Sequence, residues 1–92
     1  MNKNMIKAGI YKLEAPIRGD ANGILFPMGS KVYINKVKGF PFKVIEGYVD
    51  GKFCTDCLSD PAMMLIHVIT LQNTEGIDLT TKNARMSYLR KE

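Results

Sequence analysis

The dipeptide Asp50-Gly51, which lies between two short apolar segments, constrains the fold of this chain more than any other feature. Asp and Gly both tolerate a positive φ, and a two-residue type I′ turn needs a positive φ at both of its central positions. The sequence therefore predicts an antiparallel hairpin here, with one strand over residues 42–49 and a short return strand over residues 52–55.

Short apolar segments with turn signals between them extend this β pattern along the chain. Gly and Pro recur between these segments every ~8 to 12 residues, a spacing typical of small β sandwiches and barrels. Alternation of residue types predicts an inward face of Tyr11 and Leu13 in one strand and of Val32 and Ile34 in another. The further strands predicted in this way cover residues 7–15, 24–26 at an edge, 31–38, 64–69 after at most one helical turn, and the positions of Ile77 and Leu79.

The C-terminal segment allows two interpretations. Ala84, Tyr88 and Leu89 fit one face of a short helix, whereas Met86, Tyr88 and Arg90 alternate as they would in a last strand. Five to seven short strands around a single core predict a mainly β fold, a small SH3-like or OB-like antiparallel barrel that ends in this helix or strand. The order of a strand led by Gly-Ser, a hairpin, an apolar strand and a last short hairpin resembles the SH3-like group most closely.

Size and composition set the class of protein. A chain of 92 residues supports a single core, so residues 1–92 are predicted to be one domain. With 46% hydrophobic and 24% charged residues, the composition is that of a folded protein and not of a disordered one. The apolar run at residues 62–66 is much shorter than the ~20 residues of a membrane span, and no signal-peptide pattern precedes it. We therefore expect a cytoplasmic protein with no membrane partner.

Cys54 and Cys57 form the one metal-ligand spacing in the chain. A structural zinc site usually needs four ligands, and His67 is the single histidine. We therefore predict no metal and no cofactor in one chain, with a four-cysteine site across two copies as an alternative and two half-buried thiols as the ordinary interpretation. The acidic residues are scattered singly, and His67 has no evident catalytic partner, so we do not expect an enzyme.

Aromatic and basic residues alternate between residues 31 and 48, and both ends of the chain are basic. Aromatic rings stack on bases while Lys and Arg bind phosphates, which is how small barrels hold nucleotides without a sequence motif. For Phe42 and Tyr48 a position in the core is the preferred interpretation, whereas Phe40 lies between Gly39 and Pro41 in a predicted loop. Hydroxyls and cations near residue 81, where a helix is predicted to begin, suit an anion as well as an ordinary cap. The predicted ligand-binding residues are Tyr33, Lys36, Lys38, Phe40, Lys43, Thr81, Lys82 and Arg85.

The small size, the abundance of Lys, Asn and Ile and the lack of an enzyme motif make the chain resemble compact proteins that phages direct against host functions. This resemblance implies host cytoplasm as the location and two kinds of function. The first is a non-catalytic, homo-oligomeric sponge that sequesters an anionic nucleotide, either a cyclic messenger or a short oligonucleotide. The alternative is an inhibitor that docks on an acidic surface of a host enzyme or defence protein.

Overall fold

A computed structural model describes residues 7–59 and 69–90. The fold is mainly β, as the sequence predicted. The described residues form seven strands and one helix. Their bounds are β1 (Gly9–Leu13), β2 (Ile17–Arg18), β3 (Leu25–Phe26), β4 (Lys31–Lys36), β5 (Lys43–Val49), β6 (Lys52–Leu58), β7 (Ile69–Leu71) and α1 (Lys82–Arg90).

Five of the strands form one antiparallel sheet in the order β6-β5-β4-β1-β7, and β2 pairs with β3 in a separate small sheet. The consecutive strands β4, β5 and β6 thus pair with their neighbours in sequence, while β1 pairs with both β4 and the distant β7. Closure into an SH3-like or OB-like barrel stays a prediction. Within residues 7–59 and 69–90, no helix is long and apolar enough to cross a membrane.

The hairpin at Asp50-Gly51 has the predicted turn. Asp50 has a φ of 53° and Gly51 a φ of 80°, and Val49 pairs with Lys52 across the turn. The return strand β6 is longer than the predicted residues 52–55, because its last three residues continue to pair with the start of β5.

Other element boundaries also differ from the sequence prediction. Strand β4 ends at Lys36, because the chain turns at Gly39, which has a φ of 82°. The predicted strand at Ile77 and Leu79 is wrong: the Ile77 N–H donates to the carbonyl of Thr74 in a turn, and Ile77 is exposed. The C-terminal segment is the helix α1 and not a strand. Residues 60–68, with most of the predicted apolar strand, lie outside the described residues.

The core lies between one face of the large sheet and the small sheet. The predicted inward residues Tyr11, Leu13, Val32 and Ile34 are all buried there. Gly47 permits this packing, because a Cβ at that position would lie 3.0 Å from Val32 Cγ1 and 3.4 Å from a ring carbon of the small sheet. The remaining buried members of the cluster are Ile17, Phe26, Ile45 and Leu58.

A single buried carboxylate organises the loop that joins β2 to β3. Asp56 on β6 is 4% exposed and accepts four backbone N–H bonds of 2.8–3.0 Å. Burial by itself raises the pKa of Asp56, but the four donors outweigh it and hold that pKa below its usual value. A Cβ at Gly19 would lie 2.2 Å from the carboxylate, so this position needs glycine. The donors belong to Ala21, Asn22, Ile24 and Cys57.

Candidate anion-binding site

Helix α1 lies on the face of the large sheet that points away from the core. The strand register aligns Ile10, Tyr33 and Glu46 across β1, β4 and β5 on this face. Ile10 is fully buried and Glu46 is 8% exposed. Leu89 is the buried residue of α1, and polar and cation–aromatic contacts also hold the helix.

The ion pair between Arg85 and Glu46 joins the middle of the helix to the sheet. Arg85 Nε lies 2.7 Å from Glu46 Oε1 and Nη2 lies 3.3 Å from Oε2, while Nη1 donates to the carbonyl of Leu79 at 3.1 Å. The guanidinium is 4.8 Å from the centroid of the Tyr33 ring. The hydrogen bond to Glu46 raises the pKa of Arg85, so its charge is fixed and is neutralised within the protein.

Cations also lie over aromatic rings at the ends of the helix. Arg90 is 5.3 Å from the centroid of the Tyr48 ring, and its Nη2 donates to the Tyr48 hydroxyl at 3.1 Å. The ammonium of Lys31 is 5.0 Å from the centroid of the Tyr88 ring. Such contacts are individually weak where water has access, at ~0.5–1 kcal/mol each, so a stronger anionic partner can compete for these cations.

An open depression of about 830 Å³ lies at the C-terminal end of α1. Strands β1, β4 and β5, the segment after β7 and the helix all contribute to its lining. None of the described lining residues is acidic. The side chains of interest in the lining are Lys12, Lys31, Tyr48, Gln72, Tyr88 and Arg90.

Two of the lining lysines are directly opposite each other in the sheet. Lys12 on β1 is the register partner of Lys31 on β4. Like charges at directly opposite positions destabilise an antiparallel pair of strands, and a bound anion between them relieves that repulsion. With Arg90 on the helix side, the depression combines three cations and two tyrosine rings, the groups that bind phosphate and stack on a base.

The residues that the sequence predicted as a site fall into two separate groups, and none of them lines this depression. Four lie at the far end of the β4–β5 hairpin, where the Lys36 ammonium contacts the carbonyl of Phe40. The Phe40 ring packs edge-on against Phe42 at 5.6 Å between centroids. The predicted core role of Phe42 is wrong, because this side chain is 40% exposed. The members of this group are Lys36, Lys38, Phe40 and Lys43.

The second group lies along the N-terminal half of α1, and each member has a partner within the chain. The Thr81 hydroxyl accepts the N–H of Ala84 at 3.1 Å and so caps the helix. The Lys82 ammonium is 5.7 Å from the centroid of the Phe53 ring. Arg85 and Tyr33 form the contacts described above. Ligand binding by either group stays a prediction.

The sequence does not predict the depression, although two of its residues belong to the aromatic and basic pattern between residues 31 and 48. Lys31 and Tyr48 are in that pattern, but Lys12 and Arg90 come from opposite ends of the sequence. The strand order, which places β1 beside β4, is the information that would have brought Lys12 next to Lys31.

The two cysteines lie on opposite faces of β6. Cys54 pairs with Gly47 and Cys57 pairs with Val44, and these two partners have opposite parity along β5. The two thiols therefore point away from each other and do not form one half of a zinc site. His67 lies outside the described residues.

Comparison of the chain with protein-family models, with curated proteins and with solved structures finds no match. The functional argument therefore depends on the geometry of the chain's own residues.

Proposed function

We propose that this protein is a non-catalytic binding protein for an anionic nucleotide and that the depression beside α1 holds the ligand. The observation that supports the proposal is the convergence of Lys12, Lys31 and Arg90 with Tyr48 and Tyr88 around one depression whose described lining contains no carboxylate. Cations bind phosphates, and tyrosine rings stack on bases of any identity.

The size of the depression suits a small nucleotide. Ligand sites for small molecules commonly measure ~300–1,000 Å³, and the depression of about 830 Å³ lies within that range. A mononucleotide, a cyclic dinucleotide or the end of a short oligonucleotide has matching dimensions and charge. Because the depression is open, a longer strand can continue beyond it.

The charges of the lining favour binding over chemical conversion. Histidine, carboxylate and thiol side chains are common proton acceptors in catalysis, and the described lining contains none of them. Sequestration of a nucleotide messenger is also the activity implied by the resemblance to host-directed phage proteins. We propose the same role here, with the homo-oligomeric state as part of the proposal.

Isothermal titration at low salt tests the proposal with a panel of mononucleotides, cyclic dinucleotides and short single strands. The wild-type protein is expected to bind at least one member, and Lys12→Gln and Lys31→Gln are each expected to weaken binding about tenfold. Lys52→Gln is the matched control, because Lys52 is exposed on the edge strand β6 and does not line the depression.

The predicted tip residues provide the second arm of the experiment. If Lys38→Gln and Lys43→Gln weaken binding and Lys12→Gln and Lys31→Gln do not, the depression is not the site and the original sequence prediction is supported instead. If no ligand binds to the wild-type protein at low salt, nucleotide binding itself is disproved.

A further inference from the structure

The far end of the β4–β5 hairpin forms an apolar tip, defined here as residues 37–42. Val37, Phe40 and Phe42 are 44%, 38% and 40% exposed, respectively. Three exposed apolar side chains on one six-residue turn form a local patch, in contrast to the singly scattered apolar residues of an ordinary surface.

Lysine residues surround the apolar tip. Lys36 and Lys43 are register partners at its base, and Lys38 lies within it. Residues 31–45 contain no acidic residue, so no charge of the tip's own segment neutralises these lysines. An anionic partner is therefore the complementary one.

Three backbone groups of the apolar tip have hydrogen-bond partners within the chain. The Phe40 N–H donates to the carbonyl of Val37 at 3.0 Å, and the Lys36 ammonium contacts the carbonyls of Val37, at 3.4 Å, and Phe40. Pro41 has no N–H. Transfer of an unsatisfied backbone group into an apolar medium costs several kcal/mol, so the other backbone groups of the apolar tip stay at the level of the hydrated headgroups while the rings go deeper.

We propose that the apolar tip docks on the surface of an anionic lipid bilayer. The two phenylalanine rings lie at the boundary between headgroups and acyl chains, and the lysines lie at the headgroups. A lysine side chain can extend from a buried stem to the headgroup level, which the positions of Lys38 and Lys43 allow. This inference goes beyond the proposed nucleotide binding and does not depend on it. It departs from the sequence-based expectation of no membrane partner, which considered membrane spans and not surface docking.

The small area of the apolar tip favours a bilayer over a protein partner. An aromatic side chain has ~150–250 Å² of surface, so the exposed fractions of the two rings and Val37 amount to roughly 200 Å². A standard protein interface buries ~800 Å² on each partner. A tip of this size would need a matching pocket in the partner to bury that much surface. A bilayer adapts to a protruding tip without such a pocket.

The apolar tip and the depression beside α1 lie at opposite ends of β4. Lys31 begins this strand and Lys36 ends it, a separation of roughly 16 Å at ~3.3 Å per residue. The two sites can therefore be occupied together, and they can be tested separately.

The lack of tryptophan in the chain makes a fluorescence test direct. F40W places a single tryptophan in the apolar tip, and M28W places one at an exposed position outside it, because Met28 is 67% exposed. We expect the emission of F40W to shift to the blue with vesicles of phosphatidylcholine and phosphatidylserine, but not with phosphatidylcholine alone. M28W is expected to show no shift with either vesicle.

Cosedimentation with the same vesicles measures the energetics. Phe40→Ser with Phe42→Ser is expected to reduce binding at least tenfold, and Lys38→Gln and Lys43→Gln about fivefold each, since a lysine near an anionic surface contributes ~1 kcal/mol. Circular dichroism confirms that each variant remains folded. The matched control, Met28→Ser with Ile77→Ser, removes two other exposed apolar side chains and is expected to leave binding unchanged.

Three results would overturn the inference: no shift of F40W with anionic vesicles, an equal shift of M28W, or an equal shift of F40W when polyglutamate or a short single strand replaces the vesicles. The last result would assign the apolar tip to an acidic protein or to nucleic acid. Nucleotide titration of the Phe40→Ser, Phe42→Ser variant is expected to match the wild type, so failure of vesicle binding is distinguishable from failure of the proposed function.

Discussion

The two faces of the large sheet are stabilised by different physical interactions. On the core face the buried side chains are apolar, apart from Asp56, whose carboxylate is satisfied by backbone donors. Among the described residues of the helix face, Ile10 and Leu89 are apolar and buried, and the Arg85–Glu46 pair and cations over rings add polar contacts.

This difference shows why a binding site is more plausible on one face than on the other. The buried cluster on the core face is apolar, and backbone donors already satisfy the Asp56 carboxylate beside it. The helix face is held by weak cation–ring contacts at its rim, and the cations in these contacts keep part of their exposure to solvent. A surface that supports the fold with Lys31 and Arg90 can also exchange part of those contacts for an anion.

The largest expected effect is on the core face. Phe26→Ala removes a fully buried ring and is expected to lower the free energy of unfolding by about 3–5 kcal/mol in urea denaturation. Leu89→Ala, the corresponding change on the helix face, is expected to cost about 2 kcal/mol, because fewer apolar neighbours lose contact there. Equal losses in the two variants would show that the two faces contribute alike.

The ion pair on the helix face is expected to have the next largest effect. Arg85→Met leaves Glu46 buried without its partner and is expected to cost about 2–3 kcal/mol in unfolding free energy. Addition of Glu46→Leu to the same chain should recover most of this loss, because the uncompensated charge is then absent. If the double variant loses as much unfolding free energy as the two single variants added together, the ion pair does more than neutralise charge.

Asp56→Asn tests the one charged group of the core face, and its effect depends on pH. The variant is expected to cost about 2 kcal/mol at pH 7, because an amide accepts fewer of the four N–H bonds. The folded state lowers the pKa of Asp56 from its usual 3.8, so this stability is present above that pH and is lost as the pH falls through the folded value. Urea denaturation between pH 7 and pH 2 should show the two proteins converging in acid.

The smallest expected effect has the opposite sign. Lys12→Gln removes a like charge opposite Lys31 and is expected to stabilise the ligand-free protein by about 0.5 kcal/mol, seen as a higher thermal midpoint at low salt. Inorganic phosphate should then raise the midpoint of the wild type more than that of the variant. An unchanged midpoint for Lys12→Gln without ligand would show that the two charges are already screened from each other, and a lower one that Lys12 makes a favourable contact that outweighs the repulsion.

Local signals predicted the strands that local interactions determine. The turn at Asp50-Gly51 follows from its two residues alone, and the alternation of Val32 and Ile34 identifies their buried face without knowledge of any neighbour. Two residues are too few for such an inference at Ile77 and Leu79. There the Asp78 carboxylate accepts the N–H and the hydroxyl of Thr80 and stabilises a turn.

Features that depend on distant pairing could not be predicted from the sequence. Asp56 holds a loop more than thirty residues earlier in the chain, and nothing near it in sequence indicates this role. The depression likewise requires β1 beside β4, since only that strand order brings Lys12 next to Lys31. The predicted ligand residues instead cluster where aromatic and basic types are dense in sequence, which does not mean close in space.

The pleat of β6 determines how the protein responds to oxidation. Cys54 and Cys57 are three residues apart on an extended strand, so their Cα atoms are separated by roughly 10 Å, beyond the ~7 Å limit for a disulfide. An internal bond between these thiols would require β6 to leave its pairing with β5. Under an oxidant the folded chain is therefore expected to form bonds between molecules, and covalent dimers on a non-reducing gel will report exposure of the thiols while the fold remains intact.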